Sequence, residues 1–154
     1  MNRILLMLMA VTLMMASCQQ PGEETSVTGG ERRVITLDDT AQKRPYSPAV
    51  EINNTLYVSG QIGMVPGTGK LAEGGLAAET RQVLENLKRV IEASGYSMTD
   101  VVACTVLLTD ISFFNEMNQI YMEYFPVDPP ARKAFAVKDL PGGALIEIDA
   151  IAAR

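Results

Sequence analysis

Pro130-Ala131-Arg132-Lys133-Ala134-Phe135-Ala136-Val137 and, beyond Pro141-Gly142-Gly143, Leu145-Ile146-Glu147-Ile148-Asp149 form the stretch that decides the fold. Apolar and β-compatible residues alternate on either side of a Pro-Gly-Gly turn, which predicts two strands. Glu147 and Asp149 lie two apart and project from one face, while Ile146, Ile148 and Ala150 project from the other. Leu145 and Ile151 share the carboxylates' side, so part of that side is expected to be buried. A carboxylate in such a strand costs on the order of several kcal/mol unless it is paired or near water. Arg132, directly after Pro129-Pro130, carries a planar fork of donors that suits either that pairing or the carboxylate of a small ligand. An internal salt bridge and a ligand site both stay open on these residues.

Upstream, Phe114, Met117, Tyr121 and Tyr124 predict the inner stripe of a helix that opens after Asp110 or Ser112 and is stopped by Phe125-Pro126. Asp100 to Thr109 reads as a strand with both faces largely apolar, and so as an interior one. Cys104 within it fits a buried structural thiol, because no basic partner adjoins it. Leu76 to Ser94 predicts the longest helix. Leu76, Thr80, Val83, Leu84, Leu87, Val90 and Ile91 form the inner stripe, Glu79, Arg81, Gln82, Glu85, Lys88 and Glu92 the wet side, and Gly95 the stop. Ala49–Ile52 and Leu56–Gly60 read as a hairpin about Asn53-Asn54, with Arg33–Leu37 as an earlier strand. Gly67-Thr68-Gly69-Lys70 resembles a phosphate loop only superficially. Met64 occupies its first Gly position and Leu71 its metal-binding hydroxyl, so it reads as a turn. The order β-β-β-α-β-α-β-β describes an α+β domain, a sheet with two helices on one face.

Composition narrows the chemistry. The chain has no His, which excludes Ser-His-Asp and Cys-His catalysis in their usual forms and any His-bearing metal site. Cys18 and Cys104 are the only cysteines, too few for a thiolate metal cluster. The net charge is −5; residues 1–17 carry only Arg3, and without them 12 basic residues face 18 acidic ones, a net −6. That balance disfavours nucleic acid as a partner.

The amino terminus is of another kind. Arg3 precedes an apolar run from Ile4 to Met15, too short for an ordinary membrane span and suited to a secretory signal. Met15-Ala16-Ser17-Cys18 resembles a bacterial lipobox, with Cys18 as the lipidated mature amino terminus. Residues 1–17 are therefore expected to be a lipoprotein-type signal peptide. Residues 18–31 read as a flexible tether spanning roughly 20 Å, and 32–154 as the folded domain. The domain is expected on the extracytoplasmic side of a bacterial membrane, in the periplasm or cell envelope.

From about residue 33 onward the chain resembles the RidA (YjgF-type) family of reactive-intermediate deaminases, the 2-iminobutanoate/2-iminopropanoate deaminases. The resemblance rests on Pro45-Tyr46-Ser47-Pro48-Ala49-Val50, Val58-Ser59-Gly60-Gln61-Ile62, Thr80-Arg81-Gln82-Val83-Leu84-Glu85-Asn86-Leu87, Pro130-Ala131-Arg132 and Ile146-Glu147-Ile148-Asp149-Ala150-Ile151-Ala152. It implies a chorismate-mutase-like fold with a mixed sheet, a homotrimer with clefts between subunits, and no metal or organic cofactor. By the same resemblance Arg132 binds a substrate carboxylate and Glu147 positions water. Tyr46 lines the cleft, Asn118 is the helix amide, and Ser59, Gly60 and Ala134 contribute backbone. Ala134 replaces a common Cys, Arg44 a Gly and Gly63 a Pro, departures that bear on the substrate.

The implied reaction suits a chain without His. Arg132 would clamp the carboxylate of a 2-imino acid, and Glu147 would take the proton of a water attacking the C=N, releasing ammonia and a 2-keto acid. Asp149 is then the structural carboxylate of the two. The alternative is a non-catalytic extracytoplasmic trimer that binds small carboxylates or amino-acid-like ligands through Arg132.

Overall fold

The computed structural model describes residues 30–37 and 45–154. The segment expected to be a signal peptide (1–17), most of the expected tether (18–31) with Cys18, and Arg44 lie outside the described residues. The main sheet has six strands: β1 (Arg33–Ile35), β2 (Ala49–Ile52), β3 (Thr55–Ile62), β6 (Val101–Leu108), β7 (Ala131–Ala136) and β8 (Ile146–Ala153). Their spatial order is β1-β2-β3-β8-β6-β7. All pairs are antiparallel except β6–β7. The parallel pair follows from its connection, because α2 (Phe114–Tyr124) carries the chain back across the sheet between them. The strands on either side of Pro141-Gly142-Gly143 are therefore not neighbours; β6 lies between them and pairs with both. That makes β6 the interior strand expected from its apolar faces, and it leaves β7 at the edge.

Two short strands, β4 (Met64–Val65) and β5 (Lys70–Leu71), add a small hairpin that the sequence pattern did not separate from a loop. The Gly67–Lys70 segment is its turn, with Gly67 and Gly69 at positive φ. At the β2–β3 hairpin Asn53 and Asn54 have φ of 50° and 56°, the left-handed pair that a two-residue turn needs.

The helix α1 (Gly75–Ala93) lies across β3 and β8 and against α2. Leu76, Val83, Leu84, Leu87, Val90 and Ile91 are buried on it, as their three- and four-residue spacing requires. They meet Leu56, Val58, Cys104, Val106, Leu108, Ile146 and Ile148 from the sheet in one continuous core. Gly95 ends the helix at φ 87°. Asp110 caps the turn before α2, its carboxylate accepting from Ser112 N–H at 2.8 Å. Cys104 is buried, and burial raises its thiol pKa, as befits an inert core thiol.

One assignment of helix faces is corrected. Glu79, expected on the wet side of α1, is only 5% exposed. Its Oε2 accepts the Leu145 N–H at 2.9 Å, so the cost of burying the carboxylate is offset by a bond the sequence period does not reveal.

Among the described residues no helix covers the opposite face of the sheet. Strand register places Val34, Val50, Tyr57, Ile151, Ala103 and Ala131 in a row across it. Val34, Tyr57 and Phe135 are each between 43% and 52% exposed, a large apolar surface for one folded chain.

Candidate active site

The acidic half of the site begins with an irregularity in β3. Val58 pairs with Ala150 but Gln61 pairs with Ile148, so β3 spends one more residue than β8 over the same span. The bulge falls on Ser59-Gly60 and turns their backbone out of the ladder. It also puts Gly60 beneath Glu147: a Cβ at Gly60 would lie 1.9 Å from Glu147 Oε1. Glycine here makes room for the carboxylate. The Ser59 hydroxyl donates to the Ser47 carbonyl at 2.7 Å, and the Ser59 N–H donates to the Pro48 carbonyl at 3.0 Å. Those two bonds dock the Pro45–Pro48 segment, and with it Tyr46, onto the bulge. Tyr46, Ser59, Gly60 and Glu147, joined by Ile62 and Pro141, line an open cavity of about 280 Å³. Burial first, and the Asp149 carboxylate second, push the Glu147 pKa above the ordinary carboxylate range.

The basic half lies elsewhere. Arg132 on β7 donates to Asn118 Oδ1 at 2.6 Å, and its guanidinium sits 4.5 Å from the Tyr121 ring centre and 5.7 Å from that of Phe114. It is paired in register with Cys104, on the helix-covered side of the sheet. Ala134, two residues on, packs against the same core. Among the described residues β7 is the sheet edge, and one side of its backbone has no strand partner there.

These halves do not meet within one chain. Glu147 alternates with buried Ile146 and Ile148 and so faces away from the helices, whereas Arg132 faces α2. Glu147 stands opposite Leu107 and Arg132 opposite Cys104, roughly 10 Å apart along β6, with β6 between them. The internal salt bridge left open by the sequence is thereby corrected: among the described residues the ion pairs are Arg33–Glu51, Arg81–Glu123 and Lys88–Glu92. Tyr46, Ser59, Gly60 and Glu147 are brought together; Arg132, Asn118 and Ala134 form a second group.

Three contributors escaped the sequence reading. Ile62 and Pro141 line the cavity but look like ordinary strand and turn residues. Tyr121 is buried on the inner stripe of α2 as its spacing requires, and its spacing of three from Asn118 also puts both side chains on the helix face that Arg132 reaches, a second role that the stripe does not reveal.

A mixed sheet in this order, with both helices on one face, puts the chain in the chorismate-mutase-like class of α+β domains. Within that class it belongs to the RidA (YjgF-type) family: residues 36–154 match the family described as endoribonuclease L-PSP. The human 2-iminobutanoate/2-iminopropanoate deaminase is 50% identical over 122 residues, 79% of this chain and 89% of that protein. Among solved structures, RidA from the Antarctic bacterium Psychrobacter sp. PAMC 21119 superposes with a TM-score of 0.74 at 41% identity, over 79% of this chain and 99% of that one. A putative endoribonuclease from Thermotoga maritima MSB8 gives 0.74 at 45% identity, covering 80% and 98%.

The electrostatics of Glu147 give a test that needs no substrate. Asp149→Asn removes the like charge, and the Glu147 carboxyl should then titrate at lower pH, as followed by carbon-detected NMR. The raised folded-state pKa means that Glu147 favours the fold below the unfolded carboxyl range and loses that contribution as pH rises through the folded value. Asp149→Asn should accordingly flatten the fall of stability with pH across that window. An unmoved Glu147 titration would show that the two carboxylates do not interact.

Proposed function

We propose that this protein hydrolyses reactive 2-imino acids to 2-keto acids and ammonia, in clefts shared between the subunits of a homotrimer. The observation that carries this reading is the pair of complementary half-sites on opposite faces of one sheet. One is a carboxylate with a raised pKa in a small cavity; the other is a guanidinium with no carboxylate partner among the described residues. Relatives named 2-iminobutanoate/2-iminopropanoate deaminase, about half identical to this chain, support the reaction class. The exposed Val34, Tyr57 and Phe135 on the helix-free face favour an assembly that covers them.

In the proposed cleft Arg132 of one subunit binds the substrate carboxylate through two parallel bonds, with Asn118 and Tyr121 fixing the guanidinium plane. The neighbouring subunit contributes Tyr46, Ser59, Gly60 and Glu147. Glu147 accepts a proton from water as its oxygen bonds to C2 and the C=N π pair moves to nitrogen. It returns the proton to the nitrogen of the carbinolamine formed from the protonated imine, and then takes up the proton of the new C2 hydroxyl as the C–N bond breaks, releasing ammonia and leaving the C2 carbonyl. The raised pKa makes Glu147 a stronger proton acceptor than an ordinary carboxylate. Tyr46 and Ile62 shape the wall beside the substrate side chain and limit bulk water. Backbone groups of Gly60 at the bulge and of Ala134 on the strand edge complete the polar contacts, and Ser59, whose N–H and hydroxyl hold the Tyr46 segment, keeps that wall in place. The protein acts outside the cytoplasm, held to a membrane by a lipid on Cys18; the Met15-Ala16-Ser17-Cys18 pattern supports this.

Ammonia release from freshly generated 2-iminopropanoate tests the chemistry. Glu147→Gln should lower turnover by about 10²–10⁴-fold while pyruvate still binds with near-normal affinity. Arg132→Lys, which keeps the charge but loses the fork, should weaken both turnover and binding. Full turnover in Glu147→Gln would leave the binding trimer as the better reading.

The shared cleft predicts complementation. Arg132→Ala and Glu147→Gln proteins, each inactive, should regain partial activity after unfolding and refolding together, since mixed trimers contain clefts with both wild-type residues. No recovery from demonstrably mixed trimers would exclude the shared site.

For the anchor, Cys18→Ser should release the protein from the membrane fraction or block its maturation. Wild-type protein found unprocessed and soluble in the cytoplasm would contradict export.

A further inference from the structure

Glu79 sits where its helix has no evident use for a charge. It lies on the inner side of α1 beside Leu76, Thr80 and Val83 and is 5% exposed, whereas Glu85 and Glu92 of the same helix face solvent. Two segments of chain converge on it. The Leu145 N–H, 66 residues away in sequence, donates to its Oε2 at 2.9 Å. Gly63 packs against its stem so closely that a Cβ there would fall 2.9 Å from the Cα, Cβ and Cγ of Glu79.

Both segments are walls of the cavity. Gly63 follows Ile62, and Leu145 stands between Pro141 and Glu147; Ile62, Pro141 and Glu147 are lining residues. The Leu145 carbonyl is held in turn by the Thr109 N–H at 3.1 Å, so this residue is gripped at both ends of its peptide frame. Leu145 is also the last residue before β8, where the irregular 141–144 segment becomes a paired strand. A strand start without such a grip is free to fray, and Glu147 is the second residue of that strand.

We propose that Glu79 is a positioning residue: it fixes the Glu147 carboxylate relative to water and substrate while touching neither. The inference rests on the reading of Glu147 as proton acceptor. A displacement of about 1 Å at such a group is worth roughly 10²-fold in rate. The substrate carboxylate is anchored on a different element, by Arg132, so loss of the Glu79 grip should act on turnover and spare affinity.

The test uses the full-length protein, with ammonia release from 2-iminopropanoate measured well below each variant's melting temperature. Glu79→Ala removes the acceptor and should lower kcat about 10–100-fold with KM within about threefold of wild type. Glu79→Asp, one methylene shorter, keeps charge and nearly keeps volume, and should show the same pattern even if Glu79→Ala fails to fold. Glu79→Gln retains an acceptor oxygen at the same reach and should restore most of kcat. A purely structural role would lower the melting temperature and leave kcat per folded molecule unchanged, which overturns the proposal. Glu79→Gln falling as far as Glu79→Asp overturns it too, as does a rise in KM at constant kcat. Glu147→Gln measured alongside separates the two readings: if it keeps its turnover, the role of Glu147 fails; if it collapses while Glu79→Asp keeps its kcat, only the role of Glu79 fails.

Discussion

The register of β8 is the constraint on which the candidate site depends. Ile146, Ile148, Ala150 and Ala152 are almost wholly buried beneath the helices, and Glu147, Asp149 and Ile151 occupy the alternate positions. A slip of one residue would expose two isoleucines, each worth about 1.5–3 kcal/mol of burial, and drive two carboxylates into the core at several kcal/mol apiece. The competing register is thus disfavoured by on the order of 10 kcal/mol, comparable to the whole stability of a domain this size. The side chain that supplies the proposed chemistry is aimed by its neighbours' need for the core.

The bulge in β3 acts on the same point from the adjacent strand. Without the extra residue, the chain at Ser59-Gly60 would pair regularly with β8 and its polar groups would stay inside the ladder. With it, the strand bends, the Ser59 N–H and carbonyl take partners outside the ladder in Pro48 and the Gln61 side chain, and Gly60 sits where an added Cβ would run into the Glu147 carboxylate. The end of the strand is then held by Asn86, whose amide donates to the carbonyls of Ile62 at 3.0 Å and Met64 at 2.8 Å. Local irregularity at this site is fastened on both sides by regular elements.

Much of this was legible in the residues. The alternation of β8, the apolar stripe of α1 and the Asn53-Asn54 turn follow directly from periods of 2 and 3.6 and from left-handed turn geometry. Arg132 and Glu147 stood out because charged groups in strands need partners. Their separation onto opposite faces was not legible, because it depends on β6 inserting between β7 and β8, a property of connection rather than of composition. The burial of Glu79 is hidden for a related reason: its period places it at the margin of the inner stripe, and only the return of Leu145 from 66 residues away makes that position a buried one. Ile62 and Pro141 carry no chemical signature and become visible only once a cavity exists.

The separation of the two charges has an energetic consequence. If Arg132 and Glu147 could meet within a chain, an ion pair at about 4 Å would be worth roughly 4 kcal/mol at an effective dielectric of 20. A ligand carboxylate would have to displace that pair before it could bind, and the carboxylate proposed to accept a proton would be held by the guanidinium. The fold removes this competitor by geometry, through opposite faces and about 10 Å of offset along β6. Arg132 is steadied instead by partners that do not neutralise it. The Asn118 amide oxygen takes one donor, and the Tyr121 and Phe114 rings lie against the guanidinium, contacts worth about 0.5–2 kcal/mol each for a ring well placed over the cation. The Arg132 charge therefore remains available to an anion, and the Glu147 carboxylate, raised rather than lowered in pKa, remains available to a proton.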